Sequence, residues 1–392
     1  MHGLELRSLA TSDGQLRLSL EDATPGAPAA DELVVRVEAA PINPSDLGLL
    51  IGPADMATAR AEGTPEQPVV VADIPRQRMG AIRDRLDQSL AVGNEGAGTV
   101  VEAGDNVRHF LGRKVGMLGG GMYAQLRRLP ARDCIVLPEG VDVADGASMF
   151  VNPLTALGFT ETMKADGHRA IVHTAAASNL GQMLNRICIK DGIGLVNIVR
   201  SQAQVDLLRA IGARHIVDST SPGFPAELTR AIRDTGATIA FDAIGGGTLA
   251  GQILQAMEAS ADRGAGYSPY GSNARKQVYV YGSLDTGPTV LNRTFGFTWS
   301  VGGWLLSPFL QKVGREVAAR MRQRVADELT TTFASRYTRT ISLRDALQLD
   351  ILRGYERKAT GEKYLIDPSL SAQRVRRAWP HVGPRPPSWL RT

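Results

Sequence analysis

Residues 170–199 read AIVHTAAASNLGQMLNRICIKDGIGLVNIV, and the order of their parts decides the fold. The apolar run AIVHT at 170–174 suits a strand inside a sheet, and a turn of small residues, AAASNLG at 175–181, follows at once. Leu180, Met183, Leu184, Ile187 and Cys188 then recur at helical spacing, which predicts a helix with one apolar face that stops near Gly192 and Gly194. LVNIV at 195–199 is a second strand fit for a sheet interior. Strand, small turn, helix and strand form the unit of a doubly wound α/β sheet, which offers free amides at a helix N-terminus to a phosphate. The turn departs from G-x-G-x-x-G, because Ala175 and Ala177 occupy glycine places, so context rather than the fingerprint points to a dinucleotide. Ser178, Asn179 and Leu180 are the candidate phosphate contacts, and Gly181 permits close packing of helix on sheet. A wound sheet that binds no nucleotide is the alternative.

The winding continues through helix QVDLLRAIGA, strand HIVDS, helix PAELTRAIRD, strand TIAFDAIGG, helix LAGQILQAME and strand QVYVYGS. Where a crevice that prefers NAD presents an acid after its second strand, this chain has Arg200, Ser201 and Gln202. A cation and a hydroxyl suit a 2′-phosphate, which favours NADPH over NADH, unless Arg200 only points to solvent. His173 reads as a strand residue whose ring hydrogen bond is satisfied.

Upstream, from about 32 to 150, short strands broken by Gly and Pro predict a compact β domain: ELVVRVEAAPIN, GAGTVVEAGDNV, GRKVGML, MYAQLRRL and DCIVLPEG. An irregular segment from Gly52 to about Val92, with a short helix around residues 79–90, is expected to be a lid or binding insertion. Residues 258–276 are rich in Gly, Ser and Asn and are expected to form a long surface loop, whose Tyr267 and Tyr270 would overhang the cleft with the insertion and set acceptor size. The apolar stretch FGFTWSVGGWLLSPFL at 295–310 reads as a strand followed by a helix, or as a pocket wall or subunit interface.

Bulk properties narrow the classes. The chain has 392 residues, 43% of them hydrophobic, enough for two domains with real cores. No run approaches the ~18 consecutive apolar residues of a membrane span, and Glu5 and Arg7 interrupt the N-terminus, so no membrane partner and a cytoplasmic location are expected. Cys134 and Cys188 have no ligand neighbours and read as buried apolar residues. Five of the 44 basic residues, Arg374, Arg376, Arg377, Arg385 and Arg391, lie in the Pro-rich stretch 371–392, which contains no acid. The remainder is almost neutral, which argues against a nucleic-acid partner and makes that stretch an expected solvated, disordered tail.

PINPSD at 41–46, GNEGAG at 93–98, VNPLTALGF at 151–159, the AAASNLG unit and GEKYLIDP at 361–368 together resemble the medium-chain dehydrogenase/reductase superfamily, in its zinc-independent branch of quinone oxidoreductases and enoyl reductases. The resemblance implies a GroES-like catalytic domain at 1–152, carrying the insertion at about 53–92. It implies a Rossmann NADP-binding domain at 153–315 and a segment at 316–370 that returns to the first domain. Asn43, Asn94 and Asn152 fall where zinc-dependent relatives carry their ligands, and neutral amides are poor zinc ligands, so no zinc is expected. Hydride transfer from NADPH to a quinone or an activated alkene then remains, with amide N–H groups of Asn43, Asn94 or Asn152 stabilising the developing charge. Tyr123 is a further candidate donor, though an aromatic packed under the β domain is the simpler reading. The resemblance also brings Thr155, Gly282, Ser283 and Leu284 to the nicotinamide and Gly245 and Gly246 to the adenosine side, and it implies a homodimer. A reductase of a specialised biosynthetic intermediate, or a nucleotide-binding protein with little turnover, stays open beside the small-molecule acceptor.

Overall fold

Leucines alternate along the first twenty residues, and they place Leu6, Leu16 and Leu18 in a core through the antiparallel strands Gly3–Ala10 and Gln15–Ala23. The computed structural model describes residues 1–261 and 268–370 of the chain. Tyr267 and the arginines of 371–392 lie outside the described residues. A five-stranded sheet runs in the order 55–63, 68–73, 15–23, 3–10, 89–91. It packs against a second sheet in which Glu32–Pro41 is central, flanked by Glu95–Ala103, Leu126–Pro130 and Tyr364–Ile366.

The segment after Gly52 corrects the expected lid. Asp55–Gly63 and Pro68–Asp73 form a hairpin whose second strand pairs with Gln15–Ala23. Helical turns follow at Arg76–Met79 and Gly80–Arg85. Met56, Val70, Ala72 and Ile74 enter the same core as Leu347 and Ile351. The hairpin therefore extends a sheet of the β lobe, because an unpaired sheet edge and an apolar face were available there.

The second lobe is a six-stranded parallel sheet in the order 215–218, 194–199, 170–173, 239–242, 276–280, 299–303, with helices on both faces. This is the doubly wound order, and it opens a crevice at the carboxyl ends of the strands where the winding reverses. Helix Asn179–Asp191 runs from a Ser178 cap to Gly192 at φ +68°, where the amide of Gly192 bonds the carbonyl of Cys188. Leu180, Met183, Leu184, Ile187 and Cys188 are all buried on it, each such side chain contributing about 1.5–3 kcal/mol if fully removed from water. Strand Trp299–Gly303 and helix Leu306–Val313 account for the apolar stretch at 295–310.

Two expectations about the periphery change. Residues 269–275 precede strand Lys276–Val280 and so lie at the amino edge of the sheet, opposite the crevice. There the buried Glu258 carboxylate holds Ser272 and Lys276, and Tyr270 packs on Phe297 with centroids 6.2 Å apart, so Tyr270 does not overhang the cleft. The C-terminal segment also divides later than 316: Met321, Val325, Leu329 and Phe333 join the core of the wound sheet, and only from about Tyr337 does the chain enter the β lobe. There Arg339–Ile341 pairs with Tyr364–Ile366, which in turn pairs with Pro41 and Ala40.

Candidate active site

The motifs that carried the resemblance converge on two buried carboxylates. In PINPSD, Asp46 accepts from the backbone amides of Asn43 (2.7 Å) and Asn94 (2.8 Å) and from the Tyr123 hydroxyl (2.9 Å). In GNEGAG, Glu95 accepts from the Asn43 side-chain amide (2.8 Å) and from the amides of Phe150 (2.9 Å) and Val151 (2.8 Å). The latter two begin helix Val151–Ala165, so a negative charge sits at its positive end. Gly93 is required beside this network: its φ is +99°, and a Cβ there would lie 2.5 Å from the Tyr123 ring.

Burial pushes the Asp46 carboxyl up to about 7, against the three hydrogen bonds that favour its charged form. Glu95 is also raised by burial, with the nearby Lys363 charge opposing. The Lys363 ammonium, pushed down to about 8 by its own burial, donates to Ser148 Oγ at 2.7 Å, and Ser148 meets the Tyr337 hydroxyl at 2.8 Å. Asp46, Glu95, Ser148, Tyr337 and Lys363 were not singled out from sequence. Asp46, Glu95 and Lys363 stand inside quoted motifs, and the signal of the two acids was a carboxylate amid small and apolar residues.

The candidate donors separate once placed. Asn43 is buried, with one amide hydrogen given to Glu95 and its Oδ1 without a partner among the described residues, so the side chain faces inward and not an acceptor in the cleft, which corrects its reading as a donor there. Tyr123 is fully buried and donates inward to Asp46, so it is the packed aromatic rather than a cleft donor. Asn94 is half-buried and donates one amide hydrogen to Ser45 Oγ at 3.1 Å, leaving its second. Asn152 and Thr155, in the first turns of helix Val151–Ala165, have no hydrogen-bond partner for their side chains among the described residues.

Across from these groups, the small-residue turn closes on itself. Ala175 takes φ +50°, the left-handed conformation that glycine adopts freely. Ser178 Oγ accepts from the amide of Gly181 at 3.1 Å, while the amides of Asn179 and Leu180 have no acceptor among the described residues. A Cβ on Gly181 would lie 2.1 Å from the Ala176 carbonyl, so only glycine lets the helix start this close to the sheet. Thr174, Asp242 and Ala243 tie neighbouring strand ends together, and Leu284 donates to the Ala243 carbonyl at 3.1 Å. Gly245–Gly247 pairs with Asp285–Thr289 beside them. At the ends of strands 276–280 and 299–303 lies a pocket of about 400 Å³ lined by Val280, Tyr281, Gly282, Ser283, Gly303, Trp304, Leu305 and Pro308. Arg200 is exposed at the end of the second strand and Ser201 is half-buried, with Gln204 bridging the Arg200 amide (2.9 Å) to Thr360 Oγ1 (2.8 Å).

His173 is the strand residue expected, with a ring hydrogen bond between Nε2 and the Tyr281 hydroxyl, while Nδ1 is buried with no partner among the described residues. The Cys134 thiol, half-buried, is pushed up to about 12 and the buried Cys188 thiol is raised as well, both by burial, which leaves them unreactive. Among the described residues no group of three or more His, Cys, Asp or Glu is placed to hold a metal ion.

Residues 29–139 match the family described as the alcohol dehydrogenase GroES-like domain. The mitochondrial enoyl-[acyl-carrier-protein] reductase of Xenopus tropicalis is 29% identical over 203 residues, covering 48% of this chain and 49% of the relative. A quinone oxidoreductase of Pseudomonas aeruginosa is 26% identical over 158 residues, 39% of this chain and 49% of that one. The chain thus spans about half the length of these curated relatives. The structure of Escherichia coli quinone oxidoreductase complexed with NADPH superposes with a TM-score of 0.65 at 17% identity, over 94% of this chain and all of that one, which shows a shared fold. Residues 29–139 thus carry a GroES-like domain of the alcohol dehydrogenase family, and the chain is similar to quinone oxidoreductases and enoyl reductases.

Proposed function

We propose that this chain is an NADPH-dependent oxidoreductase that transfers a hydride to a quinone or to the C=C bond of an α,β-unsaturated carbonyl without a metal. The observation that carries the reading is the turn at 175–181: two free amides at the start of a helix, and a glycine whose place no side chain can take, at the carboxyl ends of a wound sheet. A dinucleotide fits those features, and it supplies the hydride when bound.

Each residue then has a task. The amides of Asn179 and Leu180 receive the pyrophosphate, with Ser178 fixing the helix start and Gly181 permitting the approach. Arg200 and Ser201 take the 2′-phosphate, and Gly245 borders the adenosine side. Gly282, Ser283 and Leu284 form the wall beside the nicotinamide, with Asn152 and Thr155 supplying unpaired polar groups on the facing helix. The spare amide hydrogen of Asn94 donates to the oxygen on which charge develops. A set of amides gives zinc no soft or basic ligand, so the stabilisation comes from hydrogen bonds.

The test is loss of reduced-nicotinamide absorbance with a panel of quinones and enones. Oxidation that stops on chelation, in protein holding stoichiometric zinc, would overturn the metal-free reading. A second reading, a nucleotide-binding protein with little turnover, is favoured by the inward Tyr123, which removes that phenol from the cleft as a proton donor. Tight NADPH binding with no oxidation by any acceptor would support it. Pairing of two chains along the edge strand Trp299–Gly303 belongs to the same proposal, and sedimentation tests it. Among the described residues no helix is long and apolar enough to cross a membrane.

A further inference from the structure

Beside the pocket lies a polar pair that the proposed chemistry leaves unused. His173, the last residue of strand Ala170–His173, is fully buried. Its Nε2 lies 2.8 Å from the Tyr281 hydroxyl, and the two rings stack with centroids 5.8 Å apart. Phe159 meets Tyr281 edge-on at 4.8 Å and stacks on Phe241 at 3.9 Å, while Trp304 closes on Phe159 at 4.9 Å. In this apolar box burial pushes His173 down to about 3, so the ring stays neutral and one nitrogen carries the only N–H.

Which nitrogen carries it follows from what each choice leaves unpaired. With the proton on Nδ1, a buried N–H would have no acceptor among the described residues. With the proton on Nε2, the N–H donates to the Tyr281 oxygen and only a lone pair on Nδ1 goes unused. Orphaned buried N–H groups are the rarer and costlier defect, so the Nε2–H tautomer is favoured. Tyr281 then accepts through its oxygen and keeps its own O–H, for which no other acceptor exists among the described residues. The tyrosine lines the 400 Å³ pocket together with Gly282 and Ser283.

We propose that the Tyr281 hydroxyl donates a hydrogen bond to a carbonyl oxygen held in this pocket, the carboxamide oxygen of the nicotinamide, and that His173 is the positioning residue that directs the hydroxyl there. The inference rests on the NADPH reading above. The carboxamide is favoured over the acceptor's carbonyl because Gly282 and Ser283, the wall assigned to the nicotinamide, share the pocket with Tyr281.

The experiment compares full-length protein with Tyr281→Phe, measuring dissociation constants by fluorescence, without acceptor, for NADPH and for its thionicotinamide analogue. Sulfur in place of the amide oxygen is a weak acceptor, so the native chain should bind NADPH about five- to tenfold more tightly than the analogue. In Tyr281→Phe this preference should vanish through weaker NADPH binding, with analogue affinity unchanged, and His173→Phe should reduce the preference in the same sense. Equal losses for both nucleotides, or none, would overturn the proposal. Unchanged NADPH binding with a lowered kcat/KM for an enone would also overturn it, and would move the bond to the acceptor. A native chain that binds no NADPH would sink the function proposed above, a different result from an unchanged preference in a chain that does bind.

Discussion

At the scale of single residues, Ala175 shows what a missing glycine costs. Its φ of +50° places a Cβ where the left-handed region disfavours one, at about 1–2 kcal/mol for an ordinary residue, offset in part by the entropy a glycine would lose. Ala175→Gly is therefore expected to stabilise the fold by about 0.5–1 kcal/mol in urea unfolding, and a destabilised variant would mean the turn tolerates its alanine. The three asparagines were legible because they replace ligand types in recognised motifs. Their partners were less so, since sequence does not say which way an amide points. Asn43 turns inward to Glu95 because that buried carboxylate needs donors more than the cleft does.

At the scale of elements, Glu95 joins the two lobes by holding the first amides of helix Val151–Ala165 from a strand of the β lobe. In Glu95→Gln the side chain keeps its length but loses its charge and one acceptor, so at least one of three buried donors is stranded. The expected cost is about 2–4 kcal/mol in global stability, and hydrogen exchange at the start of that helix should rise more than in helix Asn179–Asp191. Uniform acceleration in both helices would assign Glu95 to the core in general rather than to this joint. The wound sheet was readable because its inner strands are short and mostly apolar and helices such as Asn179–Asp191 have one apolar face. The hairpin at 55–73 was not, because strand Asp55–Gly63 is mostly exposed and its only buried residue is Met56. Its extended form is imposed by pairing with Pro68–Asp73, which itself borrows the edge of strand Gln15–Ala23. A strand defined by its neighbour carries little signal of its own.

At the scale of the whole molecule, the C-terminal return brings a cation to two acids that lie far away in sequence, a convergence no local pattern encodes. Lys363 comes from the loop before strand Tyr364–Ile366, Asp46 and Glu95 from the first hundred residues, and burial taxes all three charges. The pH dependence follows from the direction of each shift. Asp46 moves from its ordinary 3.8 up to about 7, so between those values the folded state holds a proton that the unfolded chain releases, and stability falls as pH rises across that window. Lys363 moves from 10.5 down to about 8, so between 8 and 10.5 the unfolded chain binds the extra proton and stability rises with pH. Together they predict a stability minimum near pH 7–8, each unit of either interval being worth at most about 1.4 kcal/mol. His173, depressed by burial, contributes a rise with pH below its ordinary value and so masks part of the acidic limb in the native chain. Variants isolate the terms: urea midpoints of Asp46→Asn should lose part of the acidic fall relative to the native chain, the raised Glu95 keeping the rest, and those of Lys363→Met should lose the alkaline rise. The readout is the slope and not the offset, since both substitutions cost hydrogen bonds at every pH. Parallel curves for native and variant protein would show that the buried cluster keeps its charges across this range.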